Sequence, residues 1–126
     1  MTLAAGQCWT YRAPAGFEAS RLVIGAIVSF TDSPPIVCCA VRGAPRRMPD
    51  NSVDVVTIPF LPMSEPAFRA SVVAPDGMAG VDDTFAVAFA AWRDDERGLS
   101  TFTVPYEGFL DRMIARQMAA ILESGN

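Results

Sequence analysis

The chain has 126 residues, enough for one domain with a substantial core, and we expect residues 1–126 to form a single domain. It carries 10 Arg, no Lys, no His and 14 acidic residues, for a net charge of −4. Binding to a nucleic-acid backbone requires a basic field, so we expect no nucleic-acid partner. The lack of His excludes Ser-His-Asp and Cys-His catalysis and most zinc chemistry, and we expect no metal and no cofactor.

Composition also bears on assembly and location. Hydrophobic residues make up 51% of the chain and charged residues only 19%, against about 25% charged in an average soluble domain. This balance predicts a homo-oligomer, most simply a dimer, formed through the strand face around Val23 and Ile27 or through the aromatics Phe85, Phe89 and Trp92.

No signal peptide and no apolar run near ~18 residues is evident, so we expect a cytoplasmic protein that does not enter a membrane.

The first half of the chain predicts four consecutive strands. They are Gly6–Arg12, Ser20–Phe30, Ile36–Arg42 and Val53–Leu61. The loop Ala13–Ala19, the turn Thr31–Pro35 and the polar loop Gly43–Ser52 separate them. Pro59 and Pro62 limit pairing at the end of the fourth strand, so that this end either lies at a sheet edge or leaves the sheet.

The second strand is the longest, and its alternation predicts one apolar face. That face is Leu22, Ile24, Ala26, Val28 and Phe30. We expect these residues to be buried together beneath the last helix of the chain. Gly25 at the centre of the strand predicts a bulge or a tight bend.

The second half predicts three helices and one further strand. They are helix Ser64–Val72, helix Val81–Glu96, strand Leu99–Val104 and helix Tyr106–Ser124. Between the first two helices, Ala74–Gly80 is rich in Pro and Gly and predicts a break. Helical spacing of aromatics supports helix Val81–Glu96, although alternation in Thr84–Phe89 also fits a strand. Phe109, Met113 and Ile114 belong to the apolar stripe of the last helix.

Four strands, inserted helices, one more strand and a closing helix predict an α+β domain. The order resembles the small SH3-like barrels: strand, long loop, bent strand, hairpin, fourth strand, helical insertion and fifth strand. The predicted fold is therefore a small antiparallel, SH3-like β-barrel of about five strands. Its helices are inserted before the last strand, and one further helix lies at the C-terminus.

The most promising candidate site groups aromatic and charged residues around the first loop: Trp9, Tyr11, Phe17, Glu18 and Arg21. Aromatic side chains with a polar fringe suit recognition of a peptide or a protein partner. The alternative is that Trp9 and Tyr11 belong to the core and that Glu18 and Arg21 form a surface pair worth little.

Two other groups of residues are of a type that could carry chemistry. Arg42, Arg46 and Arg47 flank a loop and are able to grip an anion, although a basic loop on an acidic protein is usually only solvated. Cys38 and Cys39 are neighbours in a strand and therefore point to opposite faces, which predicts two small core residues and neither a disulfide nor a metal site.

The segments Gly6-Gln-Cys-Trp-Thr-Tyr and Glu18-Ala-Ser-Arg-Leu-Val-Ile resemble the opening of the ribonuclease toxins of the plasmid-maintenance class. That resemblance implies an SH3-like barrel that cuts RNA, with Arg21 as the functional position. The family has an Arg-Pro pair where this chain has Arg21 followed by Leu22. The sequence thus leaves two functions: a non-enzymatic cytoplasmic binding or interaction module, or a ribonuclease using Arg21 with a carboxylate such as Glu18. A concave positive pocket around Arg21 and Arg12 favours the ribonuclease, and a flat apolar patch favours the binding module.

Overall fold

The computed structural model describes residues 2–96 and 100–106. Five strands and two helices follow one another in this part of the chain: β1 Gln7–Tyr11, β2 Arg21–Val28, β3 Ile36–Arg47, β4 Val53–Ser64, α1 Glu65–Ser71, β5 Val72–Met78 and α2 Asp83–Arg93. The strands form one sheet in the order β4-β3-β2-β1-β5, and every neighbouring pair is antiparallel. The predicted α+β class is confirmed. The sheet is open, with β4 and β5 at its two edges and no β4–β5 pairing in the described residues.

Each face of the sheet carries its own hydrophobic core, and we call the two faces A and B. The face A core contains Trp9, Tyr11, Leu22, Ile24, Val37, Cys39, Val41, Ala44, Ile58, Leu61, Met63, Ala67, Phe68, Phe102 and Tyr106. The face B core contains Ile36, Cys38, Ala40, Phe60, Phe85, Ala88 and Trp92. Helix α1 supplies residues to face A, and α2 packs on face B. The neighbours Cys38 and Cys39 are split between the two cores, as strand alternation predicts.

The β2 strand changes face at Gly25. The register between β2 and β3 shifts between Ile24 and Ala26, so the predicted bulge at Gly25 is confirmed. Because the bulge adds one residue, the side chains after it exchange faces, and Ala26 and Val28 pack against the face B core. The prediction of one continuous apolar face is therefore wrong beyond Gly25. Phe30 is 42% exposed and does not join the core.

Both described helices lie within the predicted ranges Ser64–Val72 and Val81–Glu96, and Ser64 and Asp82 are their N-caps. The Ser64 hydroxyl accepts a hydrogen bond from the Ala67 amide at 3.3 Å, and the Asp82 carboxylate accepts one from the Phe85 amide at 3.2 Å. Phe85, Ala88 and Trp92 point from α2 into the face B core, as helical spacing predicts. The strand alternative for Thr84–Phe89 is wrong.

The predicted loop Gly43–Ser52 is mostly a long hairpin. Pairing between β3 and β4 continues to Arg47 and Val53, and a tight turn closes it with the Met48 amide donating to the Ser52 carbonyl at 2.8 Å. Gly43, at φ +68°, lies where the register shifts between Val41 and Ala44. A left-handed residue accommodates this irregularity, so the ladder resumes beyond it.

The fifth strand lies where the sequence predicts a break. Residues 72–78 pair with β1 at the edge of the sheet, a position that tolerates Pro75 because the outer amides of an edge strand need no partner. Of the predicted strand Leu99–Val104, the described part shows a single parallel bridge, between Phe102 and Met63.

The predicted last helix, with its stripe of Phe109, Met113 and Ile114, lies outside the described residues except for Tyr106. Its predicted packing on β2 lies outside them as well. None of the helices in the ranges 2–96 and 100–106 has the length and apolar character needed to cross a membrane.

Candidate functional site

The sheet separates the residues that the sequence groups into one site. Trp9 and Tyr11 are each 6% exposed and belong to the face A core. The Trp9 ring packs edge-on against Phe68 with the centroids 6.1 Å apart, and the Tyr11 ring lies 5.3 Å from Tyr106. The aromatic pair is thus part of the core, because strand alternation turns both side chains away from the surface that Arg21 occupies.

Arg21 and Phe17 line a cleft of about 470 Å³ on face B, in the part of the sheet that α2 leaves uncovered. Its walls come from all five strands and from the β1–β2 loop: Cys8, Gly16, Phe17, Ala19, Ser20, Arg21, Arg42, Gly43, Val55, Asp76, Met78 and Ala79. The predicted site therefore keeps Phe17 and Arg21 and gains residues from β3, β4 and β5. Among these, only Arg42 stood out in the sequence, as one of three arginines near a loop.

Three hydrogen bonds hold Arg21 in place. Its Nε donates to Asp76 Oδ2 at 2.7 Å, which forms a salt bridge from β2 across β1 to β5. Its Nη1 donates to the carbonyl oxygens of Glu18 at 2.7 Å and Ser20 at 2.9 Å. The Arg21 charge is thus matched by Asp76, and its side chain braces the loop against the sheet.

Arg42 stands directly beside Arg21, as its register partner on β3. Its side chain is exposed and has no salt bridge within residues 2–96 and 100–106. Its backbone is fixed from below, because the buried Ser20 hydroxyl donates to the Arg42 carbonyl at 2.9 Å and lies 2.6 Å from the Tyr11 hydroxyl. Arg42 therefore carries a guanidinium on an anchored backbone, and no ion pair in the described chain uses its N–H donors. Of the cations that line the cleft, it is the most available to a ligand.

Three charged groups of the cleft, Asp76, Arg21 and Arg42, affect the pKa of the Cys8 thiol. Burial raises the pKa of Cys8, the Asp76 carboxylate raises it further, and the guanidinium groups of Arg21 and Arg42 lower it. The three charged groups line the same cleft as Cys8. With its pKa above the ordinary value, the thiol stays protonated at neutral pH and is a poor nucleophile.

Glu18 and Arg12 do not line the cleft, and each is bound to a backbone group. The Glu18 carboxylate accepts a hydrogen bond from the Gly16 amide at 3.0 Å, which lowers the pKa of Glu18. Arg12 donates to the Ala70 carbonyl at 2.6 Å. The surface around Arg21 is consequently neither a purely positive pocket nor a flat apolar patch, but a concave site of mixed charge.

The rim of the cleft is apolar. Met78 is 72% exposed and Val55 58%, and both rank among the most exposed large hydrophobic side chains of the described chain. Phe17 is half-buried beside them. A ligand with an apolar portion gains contact here without any rearrangement of the core.

The chain covers most of the side chains proposed for a dimer interface. Val23 is fully buried in the sheet, and Ile27 is partly buried against face A. Phe85 and Trp92 are 4% and 1% exposed because α2 turns them onto its own sheet. The chain itself thus covers Val23, Phe85 and Trp92, while Ile27 and Phe89 are only partly buried. No cluster of three or more potential metal ligands occurs among the residues that the structure describes.

No family model matches the sequence, and neither a curated protein nor a solved structure matches the chain.

Proposed function

We propose that the protein is a non-enzymatic binding module that holds an anionic ligand with an apolar portion in the face B cleft. The observation that carries the proposal is the Arg42 guanidinium, exposed beside Arg21 and without a salt bridge in the described chain. A guanidinium offers parallel N–H donors that match the two oxygens of a carboxylate. The apolar rim formed by Val55 and Met78 suits the remainder of such a ligand.

The chemistry of the cleft favours binding over catalysis. The Cys8 thiol has a raised pKa, and the Glu18 carboxylate is turned toward the Gly16 amide. Arg21, the position implied by the resemblance to ribonuclease toxins, is held by Asp76 and two backbone carbonyls. A ribonuclease of that type remains the second candidate, since Arg21 does line a concave site. Cleavage of a labelled RNA by wild-type protein, abolished in Arg21→Gln, would favour it over the binding module.

Three broader features complete the proposal. The bulge at Gly25 and the irregularity at Gly43 are of the kind that curl a sheet, which supports an SH3-like barrel architecture. A cytoplasmic location stays a prediction from the sequence. A dimer follows from the high apolar content, and light scattering over a dilution series tests it: a mass of 13.5 kDa throughout would identify a monomer.

The direct test is a titration with small carboxylates, followed by NMR or calorimetry. Arg42→Met removes the charge while keeping an unbranched side chain, and we expect it to weaken binding by about tenfold or more. Arg46→Met is the matched control, because Arg46 is also an exposed arginine of β3 but does not line the cleft. Equal affinities for the wild type and Arg42→Met would overturn the proposal.

A further inference from the structure

Resting on the proposed function, we propose that the ligand of the cleft is a zwitterion. Its carboxylate binds Arg42, its ammonium binds Asp76, and its apolar side chain lies on Val55 and Met78. An apolar α-amino acid is the smallest molecule with these three parts.

The first argument is the arrangement of charge across the sheet. Asp76 stands on the edge strand β5 and Arg42 on β3, with the Arg21 side chain between them. Adjacent strands are about 4.8 Å apart, so the backbones of β5 and β3 are separated by about 14 Å, a gap that the long Arg42 side chain shortens. Both residues line the same cleft, together with Cys8 of β1.

The second argument is the unused bonding capacity of the two residues. Arg21 binds only Oδ2 of Asp76, so Oδ1 has no hydrogen-bond partner in the described ranges, and the carboxylate side chain is 53% exposed. A carboxylate accepts about four hydrogen bonds in total. Arg21 already directs three N–H donors at protein oxygens, which leaves Arg42 as the better receptor for an incoming carboxylate.

The third argument is selectivity. A simple anion that binds Arg42 makes no contact with Oδ1 of Asp76, and a simple cation that approaches Asp76 is repelled by the two arginines. A zwitterion meets opposite charge at both ends, so it makes one more charged contact than a simple anion and avoids the repulsion that a simple cation meets. The cleft volume of about 470 Å³ lies in the lower part of the range of small-ligand sites, which suits a molecule of this size. Met78 adds a flexible wall that adapts to differently shaped apolar side chains.

Three probes that share the leucine side chain test the proposal: L-leucine, N-acetyl-L-leucine, which lacks the positive charge, and L-leucinamide, which lacks the negative charge. Binding is measured by calorimetry and, independently, by protection of Cys8 from alkylation. We expect leucine to bind about tenfold or more tightly than either derivative. Arg42→Met and Asp76→Asn should each weaken leucine binding by a similar factor. Arg46→Met and Asp54→Asn, at exposed positions outside the cleft, should not.

The outcomes separate this inference from the proposed function. If N-acetyl-leucine binds as tightly as leucine and depends on Arg42, the zwitterion is wrong and the anion-binding module stands. If leucinamide binds as tightly as leucine and depends only on Asp76, both are wrong. If none of the three binds at millimolar concentration, both are wrong as well. The comparison among probes uses wild-type protein, so it does not depend on the folding of any variant.

Discussion

The Phe85 ring of α2 lies directly over Gly25 of β2. A Cβ atom placed on Gly25 would lie 2.6 Å from Phe85 Cε1, a separation that real side chains do not tolerate. The ring has little room to move, since it packs against Phe60 with the centroids 5.5 Å apart and against Phe89 at 6.0 Å. Gly25 therefore has two roles: it allows β2 to change face, and it leaves room for the Phe85 ring through which α2 packs on the sheet.

Gly25→Ala should destabilise the protein by about 1–3 kcal/mol, because the new methyl group overpacks the contact with Phe85. Chemical denaturation measures the change. Gly80→Ala is the control, since a methyl group on Gly80 would meet no heavy atom within 4 Å and its φ is not left-handed, and it should change stability by no more than about 0.5 kcal/mol. Adding Phe85→Leu to Gly25→Ala should recover part of the loss. Equal stability of the two alanine variants would show that the ring is not seated on Gly25.

Ile24 and Phe30 should respond differently to truncation, although the alternation of β2 groups them together. Ile24 is fully buried in the face A core, so Ile24→Ala should cost about 2–5 kcal/mol. Phe30 is 42% exposed, and Phe30→Ala should cost about 1 kcal/mol or less. Urea unfolding of the two variants checks this, and similar losses would mean that β2 keeps a single buried face.

Removing the Ser20 hydroxyl should destabilise the protein by about 1–3 kcal/mol. In Ser20→Ala, the Arg42 carbonyl loses its 2.9 Å donor and the Tyr11 hydroxyl loses its 2.6 Å partner in a buried site. Ser29→Ala, at an exposed position, serves as the control and should be nearly neutral. A neutral Ser20→Ala would indicate that water replaces the hydroxyl.

Stability should fall as the pH rises above about 8.5. Burial raises the pKa of Cys38 to about 12 and also raises the pKa of Cys8, Cys39 and Tyr11 above the ordinary values. These groups keep their protons in the folded state to higher pH than in the unfolded chain. Their contribution to the free energy of unfolding is therefore fully present below the pKa that these groups have in the unfolded chain. It is lost as the pH rises from that value toward their pKa in the folded protein.

Each thiol that ionises only in the unfolded chain should lower the free energy of unfolding by about 1.4 kcal/mol per pH unit in this window. Urea unfolding from pH 7 to pH 10 measures the slope. Cys38→Ala should make the slope shallower because it removes one of the contributing thiols. A stability that does not change over this range would contradict the burial of the thiols.

The reactivity of Cys8 should report the charges of the cleft. Asp76 raises the pKa of Cys8 and Arg42 lowers it. At a fixed, mildly alkaline pH, Asp76→Asn should therefore speed alkylation of Cys8, and Arg42→Met should slow it. Mass spectrometry of the Cys8 peptide gives the rates, with Arg46→Met as the reference. A change of the same sign in both variants would show that altered access, not charge, controls the thiol.

The local features of the fold could be predicted from the sequence because each depends on neighbouring residues. Ser64 and Asp82 cap the helices that follow them, and Gly25 marks the bulge in β2. These signals act over a few residues, through backbone amides at a helix start or the missing side chain of a glycine. The α+β class follows from the order of such elements.

Only the tertiary structure decided which residues form the site. The sequence predicts a break at residues 74–80, but part of this segment forms a strand because it pairs with β1 at the sheet edge. At an edge, Pro75 is tolerated because it does not remove a hydrogen bond from the ladder. That pairing brings Asp76 to Arg21, which lies 55 residues earlier in the chain. The bulge at Gly25 assigns side chains to face A or B by register, and alternation alone does not encode where that change occurs. Trp9 and Tyr11 thus entered the core, while Arg42 and Asp76, which carry no local signal for each other, came to line the same cleft.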